Sequence, residues 1–370
     1  MSNLIIKDPL YKQILVENEF KEIIDSPQFQ RLRNIKQTAF VDMVYPNANH
    51  TRFSHSIGAY HLMNKVLNNG NFDNLDKKTK KDLLLAALLH DIGHGPFSHS
   101  WEKVFPNFDH EKITREILKE WKLDGVIEIL EKKSPYSQLI SSTIDVDKLD
   151  YMARDSHFTG VSYGVAEVDF IIQHMRIKDN KLVIKKSAIS SVEDLITQRV
   201  NLFKTVYFHK FSAEYDFLFS KIFERVKDLL RDKKKIQINK HIKTFFDNTQ
   251  TINNLLALND IIVLNQIYEW LEYDDDILKD LCYRFINRKK FNVVSPNYLD
   301  KDIEKLKKEI SLKYDLRYYF ISICLPIKIV QTPIYVEIND KLEKLEDVSE
   351  LIKFYKTQNW KVEYIIYPKI

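Results

Sequence analysis

The sequence predicts a mainly α protein: a helical core over residues 1–230, then a small α+β lobe with connecting helices over 231–370. Three observations carry this. Apolar residues recur with helical period through most of the first part. A lysine-rich stretch, Arg231 to Lys243, then changes the texture of the chain. Runs of β-branched and aromatic residues become frequent only from Asn292 onward, as expected of a mixed lobe packed on a helical core.

The elements follow in order. Asp25-Ser26-Pro27 is a strong helix opening, with a capping side chain and a proline for the first turn; Gln28 to Ile35 continues it as an amphipathic stretch. His55 to Val66 is a second amphipathic stretch. Leu83 to Leu89 is almost wholly apolar, which suits a helix buried on every side, and Gly93, Gly95 and Pro96 end it. Met175 to Lys186 alternates around Asp179-Asn180, a short hairpin. Ser190 with Glu193 reads as a capping box opening a helix through Lys210. Arg231 to Lys243 reads as a solvated connector or an exposed helix. Strands are expected at Tyr318 to Val330, Ile334 to Ile338 and Trp360 to Tyr367, with helices at Asp302 to Ile310 and Asp347 to Thr357.

Bulk properties exclude several classes. With 56 basic and 52 acidic residues the formal charge is only +4, so net charge gives no case for nucleic acid. No apolar run approaches membrane-spanning length, and there is no signal-peptide pattern. Two distant cysteines, Cys282 and Cys324, fit buried thiols in a reducing compartment; the expected location is cytoplasmic. Seven glycines in 370 residues include no glycine-rich phosphate loop, so an anion must be held mainly by side chains.

Chemistry concentrates in three contexts: Arg52-Phe53-Ser54-His55-Ser56, His90-Asp91-Ile92-Gly93-His94-Gly95-Pro96, and Asp145-Val146-Asp147-Lys148. His55, His90, Asp91 and Asp147 are metal-type ligands, and two imidazoles with two carboxylates suit a divalent cation with an open position. Adjacent helical residues point about 100° apart, so His90 and Asp91 share an ion only near a helix end, which Gly93 provides. The bland alternative is a capped helix end with a buried histidine. Arg52 lies three residues before His55, on the same face, where a guanidinium can fork onto phosphate oxygens. Asp147, Tyr151 and Asp155 share one helical stripe; Arg199, Phe203 and Tyr207 share another.

These residues resemble the HD-domain phosphohydrolases, above all the SAM- and HD-domain-containing deoxynucleoside triphosphate triphosphohydrolases, here without the SAM domain. The matching strings begin at Asp25-Ser26-Pro27-Gln28-Phe29-Gln30-Arg31-Leu32-Arg33 and Arg52 to Ser56. They continue through His90 to His99 and Asp145 to Asp155, and the resemblance is firm from about Lys7 to Lys210. It implies an HD-domain helical core in which His55, His90, Asp91 and Asp147 hold Mn, Mg, Fe, Zn or Ni. It further implies His110 as general acid with Glu111 as its orienter, and His94 at the leaving group or α-phosphate. His99, Arg52, Lys148 and Arg199 become phosphate contacts. Asp155 and Gln37 would accept the 3′-hydroxyl, Tyr151 stands beside the metal, and Tyr207 crowds the 2′ position. Asp25, Gln30 and Arg33 match a guanine-reading allosteric site, implying GTP or dNTP activation and a homo-oligomer, dimer or tetramer. The alternatives are a surface histidine for His110, hydrogen bonding to the metal ligands for His94, core aromatics for Phe203 and Tyr207, and a plain capped helix for Asp25. Phe203, and Thr38-Ala39-Phe40 after Gln37, depart from the family pattern near base and sugar.

The expected activity is metal-dependent splitting of dNTP into deoxynucleoside and triphosphate. Two rivals stand beside it: a metal-dependent phosphohydrolase or nuclease acting on another nucleotide or single-stranded nucleic acid, and a non-catalytic nucleotide- or nucleic-acid-binding scaffold using the Arg231–Lys243 region.

Overall fold

The computed structural model describes residues 3–164, 166–296 and 302–369. At its centre the His55 helix (Arg52–Leu67) packs on the helix Lys77–Leu89 and on the Asp147 helix (Val146–Thr159). Twelve of its sixteen residues are buried, Arg52 and His55 among them. The amphipathic reading of this stretch is therefore corrected: the helix is enclosed by neighbours, and its polar residues face a site instead of bulk water. Gly58 permits the close approach, since a Cβ there would stand 1.9 Å from Asp150 Oδ1 and 2.3 Å from Arg154 Nη2.

Leu83 to Leu89 are all buried, as their composition predicts. Each fully buried leucine contributes roughly 1.5–3 kcal/mol relative to exposure, which anchors the helix end carrying His90. Phe97 and Ser98, just after the Gly-His-Gly-Pro turn, hold φ of 52° and 54°. Two side-chain-bearing residues in the left-handed region cost on the order of 1–3 kcal/mol each, and such strain clusters at functional sites.

The strands form three small sheets. β1 (Leu4–Asp8) and β2 (Lys12–Val16) make an antiparallel pair at the N-terminal side. β3 (Met175–Lys178) and β4 (Lys181–Lys185) form the expected hairpin, with Asp179 and Asn180 at φ 49° and 57°, as a two-residue turn with both residues left-handed requires. β4 then pairs in parallel with β7 (Tyr335–Ile338), Ile184 opposite Val336, and β7 pairs with β8 (Lys341–Lys344), giving the order β3-β4-β7-β8. The last sheet has the order β5-β9-β6, from Asn292–Val294, Lys361–Tyr367 and Ile321–Pro326. The C-terminal region is thus mixed, with helices at Lys240–Phe246, Asp260–Trp270 and Asp276–Ile286 preceding most of its strands.

Several expectations change. Ser190 and Glu193 make no capping box: the helix Ile189–Leu202 starts after Ala188 without a side-chain cap, and Glu193 accepts from Ser349 Oγ instead. That helix does not run to Lys210. It ends in a π-helical turn, Phe203–Tyr207, and a new helix starts at Lys210 after His209 caps it. The Tyr318–Val330 run opens as a helical turn, Leu316–Tyr319, and only Ile321–Pro326 is strand, because Asp315 caps the turn through Arg317 N. Cys282 is buried but Cys324 is exposed; it sits on the solvent face of β6, where alternate residues point outward.

Candidate metal centre and catalytic pocket

Two helix N-termini and one helix C-terminus build the centre. His55 lies one turn into its helix, which Thr51 caps. His90 is the C-cap of the helix Lys77–Leu89, still α-conformed, so Asp91 turns onto the following loop. Asp147 occupies the first turn of a helix capped by Asp145, whose carboxylate accepts from Lys148 N at 2.8 Å.

Three of the four expected ligand groups converge. His55 Nε2 lies 3.2 Å from His90 Nε2 and 3.1 Å from Asp147 Oδ1. Asp91 flanks the set, with Oδ2 at 3.7 Å from His55 Nε2 and Oδ1 at 3.5 Å from His90 Nε2, and Arg52 holds its Oδ2. Ligands about 2.1 Å from a tetrahedral cation stand roughly 3.4 Å from one another, so the spacing fits an ion. The remaining ring nitrogens are tied outward, His55 Nδ1 to Asp150 Oδ2 at 2.8 Å and His90 Nδ1 to the Ala87 carbonyl at 2.9 Å. That arrangement turns both Nε2 lone pairs inward.

The electrostatics agree. Burial opposes charge on His55, yet hydrogen bonds with Asp147 and Asp150 carry its pKa up to about 10. Burial likewise disfavours ionised Asp147 and Asp91, but the imidazoles beside Asp147, and Arg52 with His90 and His94 beside Asp91, hold both well below the usual carboxylate range. Asp150, also buried, is brought down to about 2, chiefly by Arg154.

A second cluster adjoins it. The rings of His94 and His110 stack with centroids 3.8 Å apart and planes 17° apart. Glu102 bonds both His110 Nδ1 and, at 2.8 Å, His99 Nδ1. Here the sequence reading is corrected: the carboxylate that orients His110 is Glu102, eight residues earlier, and not the adjacent Glu111. Glu111 sits in the first turn of the helix His110–Glu120 on the cavity wall, where its backbone, not its carboxylate, is capped by Asp109. Hydrogen bonds from His110 and His99 outweigh the burial of Glu102 and keep it ionised far below its ordinary range. Burial, Arg52 and His110 together push His94 well below the ordinary imidazole pKa, so it is neutral; its Nε2 stands 3.3 Å from Asp91 Oδ1.

Both clusters open on one cavity of about 620 Å³, whose wall also includes Gln37, Arg52, Tyr151, Asp155, Phe203 and Tyr207. Arg52 grips Asp91 and donates Nε to Ser98 Oγ at 2.8 Å. His99 is exposed at the cavity mouth. Gln37 Oε1 is buried and unpartnered. Asp155 accepts from Tyr207 Oη and pairs with His50 Nε2, both at 2.6 Å.

Two expected phosphate contacts are corrected. Lys148 Nζ turns back to Asp145 at 3.0 Å and stands 3.8 Å from Asp147; Arg199 is buried and donates to the Ile329 carbonyl at 2.8 Å. Neither is part of the cavity wall, because each is consumed in neutralising or satisfying core groups. The suggested allosteric residues lie together on the surface: Arg33 Nε donates to Gln30 Oε1 at 2.7 Å and its guanidinium covers the Phe53 ring at 3.6 Å, while Asp25 is exposed. Sequence reasoning missed Asp150, Glu102, His50 and Arg31. Buried Arg31 holds the loop after His90 by donating to the carbonyls of Ile92 at 3.1 Å and His94 at 2.7 Å. Glu102 had a readable signal, its position one turn after His99.

Comparison with known proteins agrees with this geometry. The HD domain pattern matches residues 52–155, and that of the HD associated region matches residues 167–366. The uncharacterized protein YwfO of Bacillus subtilis is 34% identical over 343 residues, covering 86% of this chain and 78% of its own. The deoxynucleoside triphosphate triphosphohydrolase SAMHD1 homolog of Dictyostelium discoideum is 29% identical over 262 residues, 62% of this chain and 51% of that one. Among solved structures, a phosphohydrolase from Bacteroides thetaiotaomicron superposes with a TM-score of 0.90 at 28% identity, covering 99% of this chain and 100% of that chain.

Proposed function

The chain belongs to the HD-domain family, and from that premise we propose that this metal-dependent phosphohydrolase splits deoxynucleoside triphosphates into deoxynucleoside and triphosphate. The observation that carries the reading is the single cavity shared by a divalent-metal centre, a histidine–carboxylate dyad and a tyrosine–aspartate wall. The Dictyostelium relative bears the same activity in its name, which supports the substrate class.

His55, His90, Asp91 and Asp147 would hold the cation. When bound, it supplies Lewis acidity toward a phosphoryl oxygen. Arg52, fixed by Asp91 and Ser98, presents positive charge beside the same position. His110 is placed to deliver a proton to the leaving oxygen, with Glu102 on Nδ1 fixing the orientation of its ring. Neutral His94, stacked on His110, fills the space between dyad and metal and limits water there. Tyr207, held by Asp155, forms a rigid wall that leaves no room for a 2′-hydroxyl, while Asp155 and Gln37 face the 3′ side.

Regulation belongs to the same proposal. Guanine nucleotide at Asp25, Gln30 and Arg33 would act next to Arg31, which lies within two residues of Gln30 and Arg33 and grips the loop after His90, and assembly into a homo-oligomer would follow. A reducing, cytoplasmic setting suits the two free thiols.

The test is to incubate metal-replete protein with each dNTP, with and without GTP, and to resolve triphosphate from pyrophosphate. Triphosphate with deoxynucleoside is expected. Monophosphate or shortened oligonucleotides from other substrates would replace this reading with its phosphohydrolase or nuclease rival.

A further inference from the structure

We infer that His50 is the positioning residue that sets sugar discrimination, by holding Asp155 and Gln37 in register across the cavity; the inference rests on the dNTP reading above. His50 precedes the His55 helix and is 4% exposed. Its ring Nε2 lies 2.6 Å from Asp155 Oδ1. Its backbone carbonyl accepts from Gln37 N at 3.1 Å, next to the bridge between Lys36 and Thr51. One residue thus touches the Asp155 carboxylate and the main chain of Gln37, the two residues assigned to the 3′ side, although they lie 118 residues apart in the chain (155 − 37).

The hydrogen-bond inventory shows why this matters. An ionised carboxylate only accepts, so His50 donates from Nε2, and Tyr207 donates from its hydroxyl to the other oxygen, Oδ2, at 2.6 Å. Two donors at opposite ends fix the carboxylate plane and leave a further lone pair on each oxygen for a ligand hydroxyl. The His50 ring is itself held, stacked on Phe158 at 4.8 Å and 16°, and its Nδ1 has no partner. A buried, unpartnered nitrogen costs free energy, so a histidine serves here for its donor at the Nε2 position and its flat ring.

Removing that donor frees Asp155 to rotate. The Tyr207 hydroxyl is held by Asp155, and the residue sits in a π-helical turn, an irregularity frequent at functional sites. The aromatic wall against the 2′ position then moves, and an added hydroxyl is no longer rejected.

Two substitutions separate donor from bulk. A glutamine amide reaches about as far as Nε2, whereas an asparagine amide reaches only to the Nδ1 position. For His50→Asn the ratio of kcat/KM for a dNTP over the matching ribonucleotide should fall by at least about tenfold, the scale of one lost charge-assisted hydrogen bond. The KM for dNTP should rise while metal content and thermal midpoint stay near wild type. His50→Gln should restore the ratio to within about threefold. If His50→Asn does not fold, Tyr207→Phe, which keeps the wall and deletes the other donor to Asp155, should show the same loss of discrimination against a His50→Gln control. Equal ratios in wild type, His50→Asn and His50→Gln, or no change in Tyr207→Phe, overturn the inference alone. A wild type that cleaves no dNTP removes the substrate reading and the inference together.

Discussion

Asp150 Oδ2 stands 2.8 Å from His55 Nδ1, and Arg154 clamps the same carboxylate with Nε and Nη2, both at 2.9 Å. This pair fixes the tautomer of a metal ligand from one turn behind the metal. Asp150→Asn keeps the shape but weakens the acceptor. Metal affinity should fall about 10- to 100-fold, read by competition with a chromogenic chelator; unchanged affinity would show that the pair is structural only.

The same contact predicts an effect of Gly58→Ala. The new methyl group would fall 1.9 Å from Asp150 Oδ1, so Asp150 or a whole helix must shift. Overpacking of this kind costs about 1–3 kcal/mol, and the shift pulls Asp150 from His55. Denaturant unfolding and metal titration should change together; a stable variant with normal metal binding would contradict the packing argument.

Glu102 and Glu111 can be told apart by kinetics. Positioned acid–base groups contribute about 10²- to 10⁴-fold to rate, and Glu102→Gln should remove a large part of what His110 supplies while also moving the pH profile. Glu111→Gln should leave the profile in place. A larger loss in Glu111→Gln would restore the adjacent carboxylate as the orienter.

Glu214 offers a pH test outside the active site. It is 1% exposed, accepts from Phe291 N at 2.6 Å through Oε1, and leaves Oε2 unpartnered. Burial pushes its pKa from 4.5 up to about 7. Its folded form therefore binds the proton more tightly than the unfolded chain does, and stability falls as pH rises from about 4.5 to about 7. At about 1.4 kcal/mol per pKa unit, the loss is on the order of 3 kcal/mol. Glu214→Gln has no such titration, so its stability relative to wild type should be greater at pH 8 than at pH 4.5 in chemical denaturation; parallel profiles would sink the assignment.

What could be read in advance was local. Leu83 to Leu89 announced a buried helix because seven apolar residues in a row leave no solvated face, and the His90-Asp91-Ile92-Gly93 step announced a helix end. The Asp179-Asn180 turn was visible between two alternating segments. The equivalent turn at Asn339-Asp340, with φ of 49° and 61°, escaped notice because β8 is largely lysine and glutamate and shows no apolar run. Glu102 was overlooked for a similar reason: adjacency in the chain favoured Glu111, yet helical geometry turns neighbours about 100° apart.

The sequence by itself determined the ligand types, the helix ends that carry them and the mainly α character of the core, since these follow from residue chemistry and from spacings of one to four positions. Only the tertiary structure decided which long side chains face the cavity. Lys148 stands next to Asp147 and Arg199 lies on its expected stripe, but the Asp145 carboxylate and the Ile329 carbonyl pair with them, because a buried charge or carbonyl left unpaired is costly. The pairings of Asp150 with His55, Glu102 with His110 and His50 with Asp155 span from 8 to 105 residues. No local rule reaches that far; packing of the helices against one another does.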